Sequence, residues 1–311
     1  MAVDRLEEQR FWMNLHPNVK RRVLEMKNNL RIVDGRIYTE NGSDVTHMFD
    51  VVLKTTESQI RGLKAVSNLA DHERDHGGFV FAFFRVCQTM EEQFPTLSQS
   101  DLARLMFIGT FAGWEDGKLK HDNGVPITKK ALAELLDVSR SAFNDFYGKL
   151  IAEQILTERE DGLYISTGLF YRGELSNASE LAKSVQYTRL FRKTVRELYQ
   201  KYNGRSIKQL ALIYAVLPFV NFNYNVICFN PQEHNADLVR PMTLENLAAL
   251  LGYKKTEKLA EALRRLKYNG KPVFGFFEMD GDRRKKKVVV NPAVIYAGDG
   301  KTLEAIKILF K

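Results

Sequence analysis

Cysteine is scarce in this chain of 311 residues, which contains only Cys87 and Cys228. Two thiols are too few for a disulfide framework or a cysteine-based zinc site, so we expect a protein of the reducing cytoplasm. The longest apolar runs, Phe79–Phe84 and Leu210–Val220, fall well short of a membrane span. The first residues also lack the apolar stretch of a signal peptide. These absences predict a soluble protein with no membrane partner.

Motifs of common enzymes are equally sparse. The sequence has no Gly-x-x-x-x-Gly-Lys-Ser/Thr loop for phosphates and no Gly-x-Ser-x-Gly nucleophile turn. The carboxylates are numerous but scattered, and no His-x-His pair accompanies a tyrosine that could nick a DNA strand. We therefore expect a protein that is not an enzyme and needs no cofactor.

One literal metal motif does occur, His72-Glu73-Arg74-Asp75-His76. On a helix it would place two imidazoles on one face to bind zinc, as in a metalloprotease. Charged residues between the histidines leave no apolar side, and Gly77-Gly78 ends the helix at once. A third ligand would have to be Glu91 or Glu92, beyond that break. We expect a solvated helix end or linker here and no metal, with the protease as the disfavoured alternative.

Charge is distributed unevenly along the chain, whose net charge is +8. Residues 181–311 hold 24 basic and 11 acidic side chains, a net charge of +13, whereas residues 1–80 balance and residues 81–180 carry −5. A polyanionic partner would be attracted to the last third of the chain.

An eleven-residue phrase occurs twice, at 126–136 and at 241–251, with six identical positions. In both copies Pro-x-Thr precedes Leu-Ala-x-Leu-Leu. Thr128 and Thr243 can cap helices by accepting backbone N–H groups, and the leucines bury one helix face. A turn, a second amphipathic segment and two β-prone runs follow each copy. This order is typical of a winged helix-turn-helix unit.

The boundaries of the two predicted units can be read from these patterns. The first has helices over Thr128–Leu136 and Ser141–Gln154, and strands over Ile155–Thr157 and Leu163–Ser166. The second has helices over Thr243–Leu251 and Thr256–Tyr268, and strands over Pro272–Met279 and Arg283–Val290. Helices are also expected at Phe79–Phe94, Ser98–Trp114, Tyr187–Tyr202 and Lys301–Phe310. An N-terminal region adds a helix at Leu15–Leu30, a hairpin within Arg31–Thr39 and a helix at Ser58–Leu69.

We therefore predict a mainly α-helical protein with small β-hairpins, of the α+β class. Its expected domains are residues 1–78, a first winged helix over 79–179 and a second over 180–311.

Both copies resemble the winged helix-turn-helix domains of replication and repressor-like proteins from Gram-positive plasmids and phages. The resemblance rests on Pro-x-Thr with Leu-Ala-x-Leu-Leu, and on the closing segment Val288–Gly298, whose Asn-Pro and Tyr-x-Gly are similar to that family's ending. The first copy keeps Tyr171-Arg172-Gly173 but has Ser166-Thr167 in place of Asn-Pro. The resemblance covers residues 79–298 and implies DNA binding, in replication initiation or in transcription control.

In a helix-turn-helix, side chains near the start of the second helix reach base edges in the major groove. In the second copy these are Lys254, Lys255, Thr256 and Lys258, while Arg264 and Arg265 lie later on the helix, where they could reach phosphates. The predicted wing contains five consecutive cations, Arg283, Arg284, Lys285, Lys286 and Lys287, suited to phosphates or to the minor groove. A hairpin that merely guards a sheet edge is the alternative.

The first copy offers Ser139, Arg140, Ser141, Asn144 and Lys149. Arginine reads guanine and asparagine reads adenine. Its wing, Glu158-Arg159-Glu160-Asp161, would repel phosphate, so the copy either reads bases or serves as an oligomerisation module. The aromatic residues Phe143, Phe146 and Tyr147, and alternate positions among Phe274, Phe276 and Phe277, are expected in the core.

The predicted partner is double-stranded DNA, bound sequence-specifically. A second copy of the chain, or replication and transcription proteins, are further candidate partners. A protein-interaction scaffold is the non-catalytic alternative, and weak salt dependence of DNA binding would distinguish it.

Overall fold

The computed structural model describes residues 12–34, 36–48, 57–178, 185–279 and 282–311. The protein is a mixed α+β structure, 44% helical and 21% strand, with small sheets. The chain divides into two compact units, residues 1–57 and 58–311. The domain boundaries at residues 78 and 179 stay predictions. Among the described residues, no helix combines the length and apolarity that crossing a membrane requires.

Among the described residues of the first unit, a helix is followed by a hairpin and a short 3-10 turn at Thr46–Met48. Helix α1 spans Pro17–Asn28 and begins with proline, which fits a first helical turn because its nitrogen has no proton to leave unpaired. Strands β1 (Leu30–Val33) and β2 (Arg36–Thr39) pair antiparallel. Asp34 takes a left-handed conformation, φ 49°, at the turn between them. The helix and hairpin predicted from residues 15–39 are confirmed.

The second unit contains the remaining elements. Its helices are α2 (Glu57–Asp75), α3 (Met90–Gln93), α4 (Gln99–Gly109), α5 (Lys129–Leu136), α6 (Arg140–Ala152), α7 (Arg192–Tyr202), α8 (Ile207–Ala215), α9 (Leu244–Leu250), α10 (Thr256–Arg265) and α11 (Leu303–Ile308). Its strands are β3 (Phe79–Phe84), β4 (Leu156–Arg159), β5 (Gly162–Ile165), β6 (Phe170–Tyr171), β7 (Gln186–Phe191), β8 (Lys267–Tyr268), β9 (Lys271–Pro272), β10 (Phe274–Met279), β11 (Asp282–Val290) and β12 (Ile295–Tyr296).

A four-stranded antiparallel sheet in the order β12-β7-β3-β6 joins the two sequence repeats. The central strands pair from Phe79 opposite Phe191 to Phe84 opposite Gln186. Each repeat therefore supplies one central strand and one edge strand. Helices α4 and α8, also one from each repeat, pack together beside it. One large hydrophobic cluster includes side chains from both repeats, so the repeats share a core.

The helix predicted at Phe79–Phe94 is wrong. The chain forms strand β3, then a loop in which Cys87 has φ 59°, then the short helix α3. Residues 80–84 are buried on both faces of the sheet. A strand buried on both sides has no polar alternation, so periodicity cannot distinguish it from a buried helix, although its phenylalanines and valine favour a strand.

The helix predicted at Tyr187–Tyr202 is wrong in its first third, because this part of the chain pairs with β3 as strand β7 and helix α7 begins at Arg192. The helix predicted at Ser98–Trp114 ends earlier, at Gly109. Its start is confirmed: Ser98 and Asp101 form a reciprocal capping box in which the serine hydroxyl accepts the Asp101 N–H at 3.3 Å.

The two repeated phrases form matching elements. Thr128 caps α5 by accepting the Ala131 N–H at 3.2 Å, and Thr243 caps α9 by accepting the Asn246 N–H at 3.3 Å. Each helix is followed by a turn, a second helix (α6 or α10) and antiparallel strands. In the second repeat the short pair β8–β9 lies in the chain between α10 and the longer pair β10–β11. We call β4–β5 the first ribbon and β10–β11 the second ribbon. The predicted helices and hairpins of this part are confirmed with one exception: the helix predicted at Thr256–Tyr268 ends at Arg265, because Lys267–Tyr268 forms strand β8. The burial of Phe143, Phe146 and Tyr147 is also confirmed.

Gly109 is a position where a side chain has no room. A Cβ atom there would lie 2.5 Å from the ring of Phe170, which is fully buried and stacked on Tyr214. We expect Gly109→Ala to lower the free energy of unfolding by about 1–3 kcal/mol, measured by urea titration.

Gly148→Ala is the matched control for that change. Gly148 lies inside helix α6 with nothing within 4 Å of the added carbon, so alanine should stabilise the helix by about 0.5–1 kcal/mol. Equal effects of the two substitutions would contradict the close contact with Phe170.

Candidate nucleic-acid interface

The start of helix α10 presents cations to solvent. Lys254, Lys255 and Lys258 are exposed and Thr256 is half-buried. The opposite face buries Leu259 and its apolar neighbours, which fixes the rotation of the helix on the core. No side chain caps the first turn. The helix dipole and the three lysines, which outnumber the first-turn carboxylate of Glu257, make this end attractive to an anion.

Two arginines in the second half of α10, Arg264 and Arg265, contact other side chains of the protein. The guanidinium of Arg264 lies 4.8 Å from the ring centre of Phe276 on the second ribbon, a cation–π contact that joins helix and ribbon. Glu261 pairs with Arg265 and with Lys258, the latter at 3.4 Å. These exposed pairs are weak, because water screens them, so both cations can exchange Glu261 for a phosphate.

The strand register decides where the basic residues of the second ribbon lie. Lys286 is opposite Glu278 and Lys287 is opposite Phe277. Side chains alternate across a strand, so Glu278 and its partner Lys286 lie on the same face as Phe276. This is the face that Arg264 contacts. Lys287 lies on the other face. The register shifts after Glu278, so Arg283, Arg284 and Lys285 belong to an irregular part of β11. The ribbon thus carries cations on both faces.

Helix α6 of the first repeat offers polar rather than cationic groups. Ser139 caps the helix by accepting the Ala142 N–H at 3.3 Å, and Arg140, Ser141 and Asn144 are exposed. The side chains of Arg140 and Asn144 form no hydrogen bond or ion pair with any residue that the structure describes. Two base-reading side chains one turn apart are therefore available to a ligand.

Lys149, predicted on the same surface, is already paired. Its ammonium lies 2.6 Å from Asp145 and 3.2 Å from the buried carboxylate of Asp101, which also binds Arg104 at 2.8 Å. The hydrogen bond to Asp145 raises the pKa of Lys149. Its position indicates that Lys149 links α6 to α4. Nothing local in the sequence signals this contact, because Asp101 lies 48 residues away.

Two carboxylates of the acidic first ribbon have partners in the protein, and one of these partners is a cation. Asp161 accepts hydrogen bonds from Lys118 and from the Tyr164 hydroxyl, each at 2.7 Å, and these bonds lower the pKa of Asp161 to about 2. Glu158 accepts from Tyr147 at 2.8 Å. Two of the carboxylates that would repel phosphate, Asp161 and Glu158, therefore already accept hydrogen bonds from the protein. Sequence reasoning missed Lys118, which comes from a loop 43 residues away.

The His-Glu-x-x-His segment is not the solvated helix end that we expected, and that expectation is wrong. His72 is buried and its Nε2–H donates to the Pro292 carbonyl at 2.9 Å. His76 Nδ1 lies 3.1 Å from the Thr194 hydroxyl, and Glu73 pairs with Arg189 at 3.1 Å. Within the described parts of the chain, no group of three or more His, Cys, Asp or Glu side chains could hold a metal ion.

Two surfaces therefore share the features of a nucleic-acid interface, one polar on α6 and one cationic on α10 with the second ribbon. Each is a helix beside an antiparallel ribbon, built on the common core.

Comparison of the chain with models of protein families, with curated proteins and with solved structures finds no match.

Proposed function

We propose that the protein binds double-stranded DNA sequence-specifically through two winged helix-turn-helix units. The observation that carries the proposal is the pairing, in the second repeat, of an exposed lysine-rich helix start with a ribbon that holds five consecutive basic residues. In such a unit the helix enters the major groove and the ribbon contacts the backbone or the minor groove. The role that fits is origin recognition in replication, or transcription control, in a plasmid or phage.

The two repeats have different tasks in this proposal. The second repeat supplies most of the affinity, because neutralising phosphates releases counterions, and the start of α10 reads one half of the site. The first repeat reads the other half, since Arg140 suits guanine and Asn144 suits adenine. Because the repeats share a core, their spacing is set by the protein, and the two contacts strengthen each other through a high effective concentration. A bound site should therefore have two halves with constant spacing.

We expect the double variant Arg140→Ala, Asn144→Ala to lose discrimination more than affinity. Each good contact to a base edge contributes about 1–3 kcal/mol of discrimination against a wrong base. Selection of duplexes from a random library should therefore return a two-part motif for the parent protein. The variant should keep the part read by the second repeat and lose the other.

The matched control is Lys208→Ala, an exposed cation at the start of α8 outside both surfaces. It should return the parent motif. If the Arg140 and Asn144 variant recovers the full motif, base reading by helix α6 is wrong.

A further inference from the structure

A second anion site lies away from both helix–ribbon surfaces. A cavity of about 250 Å³ forms where the end of α2 meets the β8–β9 turn, residues 291–293 and the end of α11. We propose that this cavity binds the phosphate group of a small phosphorylated molecule. Four side chains at its wall can donate hydrogen bonds to an anion, namely Asn269, Lys271, Lys307 and Lys311, and two imidazoles, His72 and His76, also line it.

The charges around the cavity favour an anion. Three ammonium groups line it against one carboxylate, Asp75. Lys307 is also paired with Glu304 at 2.8 Å, outside the cavity wall, while Lys271 is exposed and forms no ion pair with any residue the structure describes. A doubly charged phosphate is therefore attracted more strongly than a neutral or cationic ligand.

The two histidines of the cavity have low pKa values mainly because their side chains are buried. Burial lowers the pKa of His72, and burial together with nearby positive charge lowers that of His76 to about 4. The positive charges that lower the pKa of His76 are those of His72, Lys193 of α7 and Lys307 of α11, whereas Asp75 raises it. Asp75 and Glu304 likewise raise the pKa of His72. A bound dianion would offset the nearby positive charges, so one or both imidazoles would take up a proton and become stronger donors.

The geometry argues against a cation in the same place. His72 has its Nε2 bonded to Pro292, and His76 has Nδ1 beside Thr194. The same cavity is lined by three lysines, which would repel a divalent metal. The site is also recessed between four elements. That shape suits a free phosphorylated molecule better than the backbone of a rigid duplex, which contacts protruding groups.

Calorimetric titration of the full chain with sodium pyrophosphate tests the site. We expect saturable binding with one equivalent. Lys271→Gln should weaken it about tenfold, through the loss of one charge-assisted hydrogen bond. Asp75→Asn should tighten it, because a repelling carboxylate is removed. Lys208→Gln, the same charge change elsewhere, should leave it unchanged. Absence of saturable binding, or weaker binding by Asp75→Asn, would overturn the proposal.

Sulfate is a useful second ligand because it stays divalent over the pH range in which histidine titrates. Any pH dependence of sulfate binding therefore reports protonation of the protein and not of the ligand. Sulfate should bind more tightly at about pH 5.5 than at about pH 8, and it should move the ring-proton NMR signals of His72 and His76 toward the imidazolium position. His76→Gln should reduce this pH dependence. Unmoved histidine signals in the sulfate-saturated protein would contradict the site.

A final titration distinguishes the source of the phosphate. Pyrophosphate affinity is measured with and without a random-sequence duplex at low salt. Unchanged affinity supports a small-molecule site that is independent of DNA binding. Displacement by the duplex would overturn the small-molecule assignment, because the phosphate would then belong to the DNA backbone.

Discussion

Replacing Arg283, Arg284, Lys285, Lys286 and Lys287 by alanine is expected to weaken binding to every duplex, whatever its sequence. Each phosphate that the protein no longer neutralises reduces the slope of log affinity against log salt by about 0.9, so the slope should flatten by up to about 4 to 5. Fluorescence anisotropy with labelled duplexes over a series of potassium chloride concentrations measures both quantities. A scaffold that meets DNA only incidentally would show a shallow slope from the start.

The expected size of this effect follows from the ribbon's geometry. Lys286 lies on the face that packs against α10, and Lys287 lies on the reverse face. The three preceding residues occupy the irregular end of β11, where the pairing register shifts. A duplex held by α10 would therefore meet the cations at the turn end of the ribbon, where five positive charges lie close together in the chain. Adjacent cations repel one another, so part of that repulsion is relieved when phosphates bind.

A variant of the first unit provides the control for total charge. It replaces five exposed or half-buried cations of α1, β1 and β2 by alanine: Lys20, Arg21, Arg22, Arg31 and Arg36. The net charge changes by the same amount, but the second ribbon is intact. We expect a salt slope close to that of the parent protein. Equal flattening in both variants would mean that overall charge, and not the second ribbon, attracts DNA.

The parts of this fold that sequence predicts are those fixed by neighbours along the chain. Thr128 and Thr243 accept N–H groups three residues ahead, and the leucines that follow pack at helical spacing. The hairpins follow from a turn between β-prone runs. These interactions need no knowledge of the rest of the molecule, which is why sequence predicts the helix pairs and both ribbons within a few residues.

The parts that sequence does not predict depend on distant partners. Strand β3 is a strand because β7 lies beside it, more than 100 residues later. Lys149 forms an ion pair with Asp101, and His72 donates a hydrogen bond to the Pro292 carbonyl. Neither interaction leaves a sign in the neighbouring sequence. Burial on both faces also removes the alternation that marks a strand. For the candidate interface, sequence reasoning therefore named exposed cations but missed which of them the protein itself pairs.

The two repeats are expected to be unable to fold separately, although each contains a complete helix pair and ribbon. Residues 58–178 and residues 185–311, produced alone, should each lack a cooperative unfolding transition, as measured by circular dichroism in urea. Strands β3 and β7 are the centre of the common sheet, and fully buried Val80 and Leu190 face each other across it. Exposing each such side chain costs about 1.5–3 kcal/mol.

That cost decides the outcome, because the whole stability of a domain is about 5–15 kcal/mol. Separation exposes Leu190 and Val80, and it also parts α4 from α8, which bury Leu105 and Ile213 completely. Exposing four or five such side chains costs as much free energy as the whole stability of a domain. Mixing the two fragments should restore the transition, since the missing surface is then supplied by the partner fragment.

A protease site inserted between Ala178 and Val185 gives the matched control. Cutting yields the two fragments in equal amounts and already associated, so the cut chain should unfold cooperatively. Its urea midpoint should be lower than that of the uncut chain, because association of the two fragments is no longer intramolecular. One fragment with its own sharp transition and dispersed NMR spectrum would show that a repeat is an independent domain. The boundary expected near residue 179 would then be a true domain boundary, and the fixed spacing of the two proposed DNA contacts would have to come from the duplex rather than from the protein.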